Sequence, residues 1–236
     1  MNYPIYIFFG LAPSIIWLLF YLRKDSHPES NRMILKVFFF GMLAALPTAL
    51  IEIGFAQTFQ QINLPKIVFL IFYVFVGIAL MEELAKYLVV KKAVLKNSAL
   101  DEPVDLMLYM IISALGFAAL ENLFVLFPLL NPFQLLETAM VSVMRFVGAT
   151  FLHGLVSGLV GYFLVLSYLK PSKRWQLTIL GLLTAAGLHG LYNFSIIKID
   201  GNFKFIMPIF ILISLTIFVS LGFKKVKKLK SICKIT

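Results

Sequence analysis

Charge is scarce in this chain. Only 14% of its 236 residues are Asp, Glu, Lys or Arg, and 61% are hydrophobic, where a soluble domain averages about 25% charged and 45–50% apolar. With a mean hydropathy of +0.94, a soluble fold is excluded. Cysteine is nearly absent as well: Cys233 stands alone, so no disulfide can close within the chain and zinc sites built on paired thiolates are excluded. The loose match of Cys233-Lys234-Ile235-Thr236 to a prenylation box is read as chance, because a polytopic protein gains little from a lipid anchor. Internal repeats, low-complexity tracts and long polar segments are also missing, so residues 1–236 read as one integral membrane domain.

What is present is a series of apolar runs of membrane-spanning length, at about 20 residues per span. Seven stand out, at 3–22, 33–56, 65–90, 104–127, 140–169, 175–197 and 203–223. They predict an all-α, polytopic membrane helix bundle. The first lacks a basic leading region and a small-residue cleavage site, so it reads as a retained helix. Of 21 cations, sixteen fall in alternate connections: four at 23–36, three at 91–96, three at 170–174 and six from Lys224 onward. By the positive-inside rule the N-terminus is then outside and the C-terminus cytoplasmic. The net charge of +10 is therefore topology and calls for no nucleic acid. The basic tail, 224–236, is expected at anionic headgroups, and the protein in the cell membrane.

Ionisable groups inside spans are costly, roughly 2.5–3.5 kcal/mol at the bilayer centre, and mark function by default. They cluster, with two amides beside them, in a core of residues 65–197: Glu82, Glu83 and Lys86 in the third span, Glu121 and the amide Asn122 in the fourth, Arg145 and His153 in the fifth, His189 and the amide Asn193 in the sixth. Glu82 and Lys86 are one turn apart and can neutralise each other, which leaves Glu83, turned by about 100°, for another partner. His189 and Asn193 also share a face, so the amide is expected to orient the imidazole. Small residues along the fifth and sixth spans permit close helix approach. At 1.5 Å per residue, His189 lies roughly 13 Å from Lys198 at the outer end of its span. The expectation is a polar cavity in the outer half of the bilayer with the glutamate pair at its floor.

Glu82-Glu83-x-x-Lys86, Gly116-Phe117-Ala118-x-x-Glu121-Asn122, His153 and His189-Gly190-x-Tyr192-Asn193, taken in order, resemble the PrsW-type intramembrane proteases, relatives of the CAAX-processing and bacteriocin-processing membrane endopeptidases. The resemblance extends to Asp101-Glu102-Pro103-Val104-Asp105 with Tyr109, and to Arg145. Asn193 stands where the family commonly has an aspartate, so the orienting group here is neutral. The resemblance implies hydrolysis of a peptide bond in a membrane-anchored protein, for PrsW-type enzymes the first cut in an anti-sigma factor near the outer face. It implies Glu82 or Glu83 as the base that activates water, with His153 and His189 completing the catalytic set. Lys86, Glu121, Asn122, Arg145 and Asn193 are expected to support them. A glutamate and histidine mechanism needs no cofactor, and that is the expectation. A zinc or other divalent ion would instead use His153, His189 and Glu121, with Glu83 as base. Two other readings stand beside the enzyme: a non-catalytic scaffold of the same fold, like that in gamma-secretase, and a proton-coupled transporter.

Overall fold

The structure, a computed structural model, describes residues 3–24, 27–62, 64–127, 135–199, 201 and 203–229. Cys233 and the end of the basic tail lie outside the described residues. Among those described there is no strand, and seven helical spans are long and apolar enough to cross a membrane. They comprise α1 (Tyr3–Leu22), α2 (Asn31–Gln60), α3 (Lys66–Phe72) continued through a π-helical stretch (Tyr73–Leu80) into α4 (Met81–Ala93), and α5 (Pro103–Leu126). The fifth span is α6 (Leu135–Val147) followed by α7 (Ala149–Leu169). A 3₁₀ turn (Pro171–Lys173) leads into α8 (Arg174–Lys198), and α9 (Phe203–Val226) completes the bundle. The seven spans thus match those expected, within a few residues at each end.

Helix α5 is the axis. It packs against α7, α2 and α1, and the run from Pro103 to Ala119 is buried without a break. In a membrane every span is apolar, so lipid and protein compete for the same faces, and small residues decide which helix takes the centre. Gly41 on α2 lies on the backbone of Ser113, and Gly116 on α5 lies on the backbone of Phe38, each so close that a Cβ would meet a carbonyl oxygen. The two helices therefore touch through bare backbone at both positions.

The start of α5 is fixed by its own sequence. Pro103 opens the helix, and Asp105 Oδ2 accepts from the backbone N–H groups of Glu102 (2.7 Å) and Asp101 (3.1 Å), satisfying donors that a helix N-terminus leaves free. Tyr109 donates its hydroxyl to Glu29 at 2.6 Å, tying this end of α5 to the connection before α2. Asp105 and Tyr109 thus serve the helix end.

Two local features differ from uninterrupted spans. The third span passes through the π-helical stretch immediately before Glu82 and Glu83, a kind of winding that recurs at functional sites. The fifth span breaks at Gly148 (φ −108°, ψ −96°), which places Arg145 and His153 on separate helices. A Cβ at Gly148 would sit 2.6 Å from the Tyr192 hydroxyl, so the missing side chain lets α8 approach at the break.

Candidate active site

The third, fourth, fifth and sixth spans bring their ionisable residues into one bonded group. Lys86 is at its centre. Its Nζ donates to Glu83 Oε1 at 2.8 Å, Glu82 Oε2 at 3.0 Å and His153 Nδ1 at 2.7 Å, and stands 4.6 Å from the centre of the Phe117 ring. Helical spacing predicts Glu83 free of Lys86, and the structure differs: at i and i+3 as well as i and i+4 the flexible lysine stem reaches both carboxylates. Glu83 also accepts from Ser157 Oγ at 2.9 Å and pairs with His189 Nδ1 at 3.0 Å. Both of its oxygens are thus engaged, and it is fully buried.

His153 is held from both sides. An ammonium can only donate, so Nδ1 accepts from Lys86 and the ring proton lies on Nε2, which faces Glu121 Oε2 at 2.7 Å. Glu121 Oε1 in turn pairs with Arg145 Nη2 at 3.0 Å. Arg145 Nε donates to Asn122 Oδ1. Asn122 Nδ2 donates to Gly10 O at 3.2 Å and Thr150 Oγ1 at 3.1 Å, which anchors the group to α1. His189 has the opposite arrangement, because its Nδ1 donates to a carboxylate and its Nε2 keeps a lone pair. That Nε2 is 4.0 Å from Glu82 Oε2, and the two imidazoles stand 5.0 Å apart, edge to face.

A cavity of about 810 Å³ opens on this group, lined by His153, His189, Glu121, Arg145 and Asn193, with walls from α6 and the C-terminal part of α8. Glu82 and Glu83 lie behind the histidines, close to their ring nitrogens, and, unlike the floor that the sequence predicts, are not among the residues that line the cavity. Asn193 lines the cavity but makes no hydrogen bond to His189, whose orientation comes from Glu83. A neutral amide competes poorly with a carboxylate for an imidazole N–H, since charge-assisted hydrogen bonds are roughly twice as strong.

The residues that come within reach of a single ion differ from the expected His153, His189 and Glu121. Glu82, Glu83, His153 and His189 present ligand atoms that all lie within 4.8 Å of one another, whereas Glu121 bonds the far edge of the His153 ring. Glu121 is thus placed to orient the His153 ring. Two imidazoles and two carboxylates are a donor set that divalent zinc accepts. Counting carboxylates and cations in the bonded group, three against two, leaves one negative charge with neutral imidazoles. Both observations fit a cation, and the Lys86 ammonium contends with it for the same lone pairs.

Three residues near this group are not among those expected from the sequence. Ser157 is one turn beyond His153 on α7 and shares its face, a spacing that points to it. Phe117 is the aromatic of the Gly-Phe-Ala motif. Glu52 is a half-buried carboxylate within α2, near enough to Glu82, Glu121 and Lys86 to feel their charges. Its signal was plain, a lone acid in a 30-residue apolar helix.

Ionisable groups bonded to one another inside seven apolar helices define a class, the polytopic membrane protein with a polar centre within its spans. Comparison with known proteins supplies the family. The model of the PrsW family of intramembrane metalloproteases matches residues 29–221, and the chain belongs to that family. It is 30% identical to Protease PrsW of Geobacillus kaustophilus over 189 residues, covering 80% of this chain and 78% of that protein. To Protease PrsW of Oceanobacillus iheyensis it is 26% identical over 204 residues (86% and 88%), and to that of Bacillus subtilis 26% over 225 residues (94% of each). No solved structure matches significantly. The protein is a multi-pass intramembrane protease, a hydrolase whose substrate is a protein in the membrane.

Proposed function

We propose that Glu82, Glu83, His153 and His189 form the hydrolytic centre, and that a membrane-anchored substrate reaches it through the cavity between α6, α7 and α8. The observation that carries this reading is the cavity itself: it is the place where both buried histidines meet open space, with the two carboxylates directly behind them. Of the two glutamates, Glu82 is the better base. It uses only Oε2 on Lys86, and its side chain keeps 6% exposure against none for Glu83. Glu82 takes the proton from the attacking water. Glu83, bonded through both oxygens, fixes His189 and Lys86. Arg145 and Glu121 hold His153 in its tautomer, and Asn193 offers its amide to the substrate backbone at the cavity wall.

A divalent metal would be held by His153, His189 and Glu83, three of the four groups whose ligand atoms lie together, with Glu82 left as the base. Such an ion would polarise the scissile carbonyl and make its bound water more acidic. The alternation of basic connections supports an outside N-terminus and a cytoplasmic C-terminus in the cell membrane, which sets the cavity in the outer half of the bilayer. A segment near the outer face, as in an anti-sigma factor, fits that depth.

Purified protein in lipid discs, given a single-pass substrate labelled in its outer juxtamembrane segment, tests the assignment. Glu82→Gln and His189→Ala should each lower cleavage by about 10²–10⁴-fold while the proteins remain folded. A chelator should abolish cleavage and added zinc restore it. Cleavage that survives in both variants would sink the site.

A further inference from the structure

A second cavity, of about 730 Å³, lies between α1, α7 and α9, and shares no lining residue with the one at the histidines. Its deep walls are apolar and aromatic: Trp17, Phe146, Phe151 and Leu155. Its mouth carries Lys24, Lys224 and Lys227, one from the end of α1 and two from the end of α9.

The indole N–H and the threonine hydroxyl of the lining are already used, which leaves the Tyr21 and Ser220 hydroxyls. Trp17 Nε1 donates to Phe146 O at 2.8 Å, and Thr216 Oγ1 donates to Leu212 O at 2.7 Å. A peptide segment would therefore find at most two hydroxyls for its whole run of backbone amides away from the lysines, and in a bilayer that is prohibitive. A hydrocarbon chain needs none. Along α9 the lining runs from Thr216 to Lys224, about 12 Å of helix at 1.5 Å per residue, close to the ~15 Å depth of one leaflet's hydrocarbon. Neither Lys24 nor Lys224 has an acidic partner among the described residues, and Lys24 lies over the Phe20 ring at 4.7 Å. An apolar slot of leaflet depth capped by ammonium groups matches one amphiphile, a lipid with a negative headgroup.

We propose that this cavity is a binding site for an anionic phospholipid of the leaflet on the basic side of the bundle. One acyl chain lies against Trp17, Phe151 and Leu155, and the phosphate is held by Lys24, Lys224 and Lys227. The proposal is independent of the hydrolytic centre.

Trp17 reports on it directly, since Trp175 is the only other tryptophan and Trp175→Phe isolates the emission. The protein is reconstituted in phosphatidylcholine vesicles containing phosphatidylglycerol, with brominated acyl chains on either one lipid or the other. Brominated phosphatidylglycerol should quench Trp17 at a much lower mole fraction than brominated phosphatidylcholine. The triple variant K24Q/K224Q/K227Q should bring the two curves together, and K224Q alone should narrow the gap by about five-fold, the share of one lysine near a membrane surface. Equal curves in the parent protein, a preference that survives in the triple variant, or no quenching by either lipid would each overturn the site.

Discussion

Lys86 carries the electrostatics of the centre, because it is the only cation bonded to Glu82 and Glu83 among the described residues and is itself fully buried. Removing one member of a buried ion pair leaves an uncompensated charge, at a cost of roughly 3–5 kcal/mol. Lys86→Met is accordingly expected to lower the unfolding temperature in detergent sharply. Adding Glu83→Gln to it should restore part of the loss, since one stranded carboxylate is then neutral. Glu121 is different, as its side chain is 29% exposed to the cavity. Glu121→Gln should leave unfolding nearly unchanged but lower kcat about 10–100-fold, the usual effect of loosening a group that orients a histidine. At this scale the residue types were legible from charge in apolar spans, but the partners were not. Asn193 and Glu83 lie at comparable helical spacings from candidate partners, and spacing alone does not say which of them meets His189.

Among the elements, α5 and the break at Gly148 place the centre. Gly116→Ala and Gly41→Ala each put a methyl group against a backbone oxygen, which no rotamer change can relieve. Each should destabilise the protein by about 1–3 kcal/mol, read as a shift of the unfolding midpoint, whereas Gly187→Ala, with open space around it, should not. Gly148→Ala should instead move Tyr192 and α6, and so reduce substrate turnover more than stability. The spans were legible as apolar runs of the right length. The π-helical stretch before Glu82 and the division of the fifth span were not, because neither interrupts the hydropathy on which span reading depends.

For the whole molecule, the alternation of basic connections predicts orientation. A reporter phosphatase active only outside the cytoplasm should be active when fused after Leu64 and inactive when fused after Lys96. The reverse result would turn the protein over and put the histidine cavity near the cytoplasmic face. The structure already groups the basic residues as that reading requires: Lys36 with Lys92, Lys91 and Lys96 with Arg174, and Lys24 with Lys224 and Lys227 each line common clefts.

The sequence by itself determined that this is a bundle of seven membrane helices, because span length and hydropathy answer to the thickness of the bilayer and to nothing in the fold. It also determined which residues would be expensive to bury, since that cost is paid by each charge in lipid. Only the tertiary structure decided what relieves the cost. It set Lys86 between two glutamates and a histidine, turned Glu121 to the far side of that histidine, and gave His189 to Glu83, because hydrogen-bond partners drawn from four spans depend on helix depth and rotation that no single span encodes.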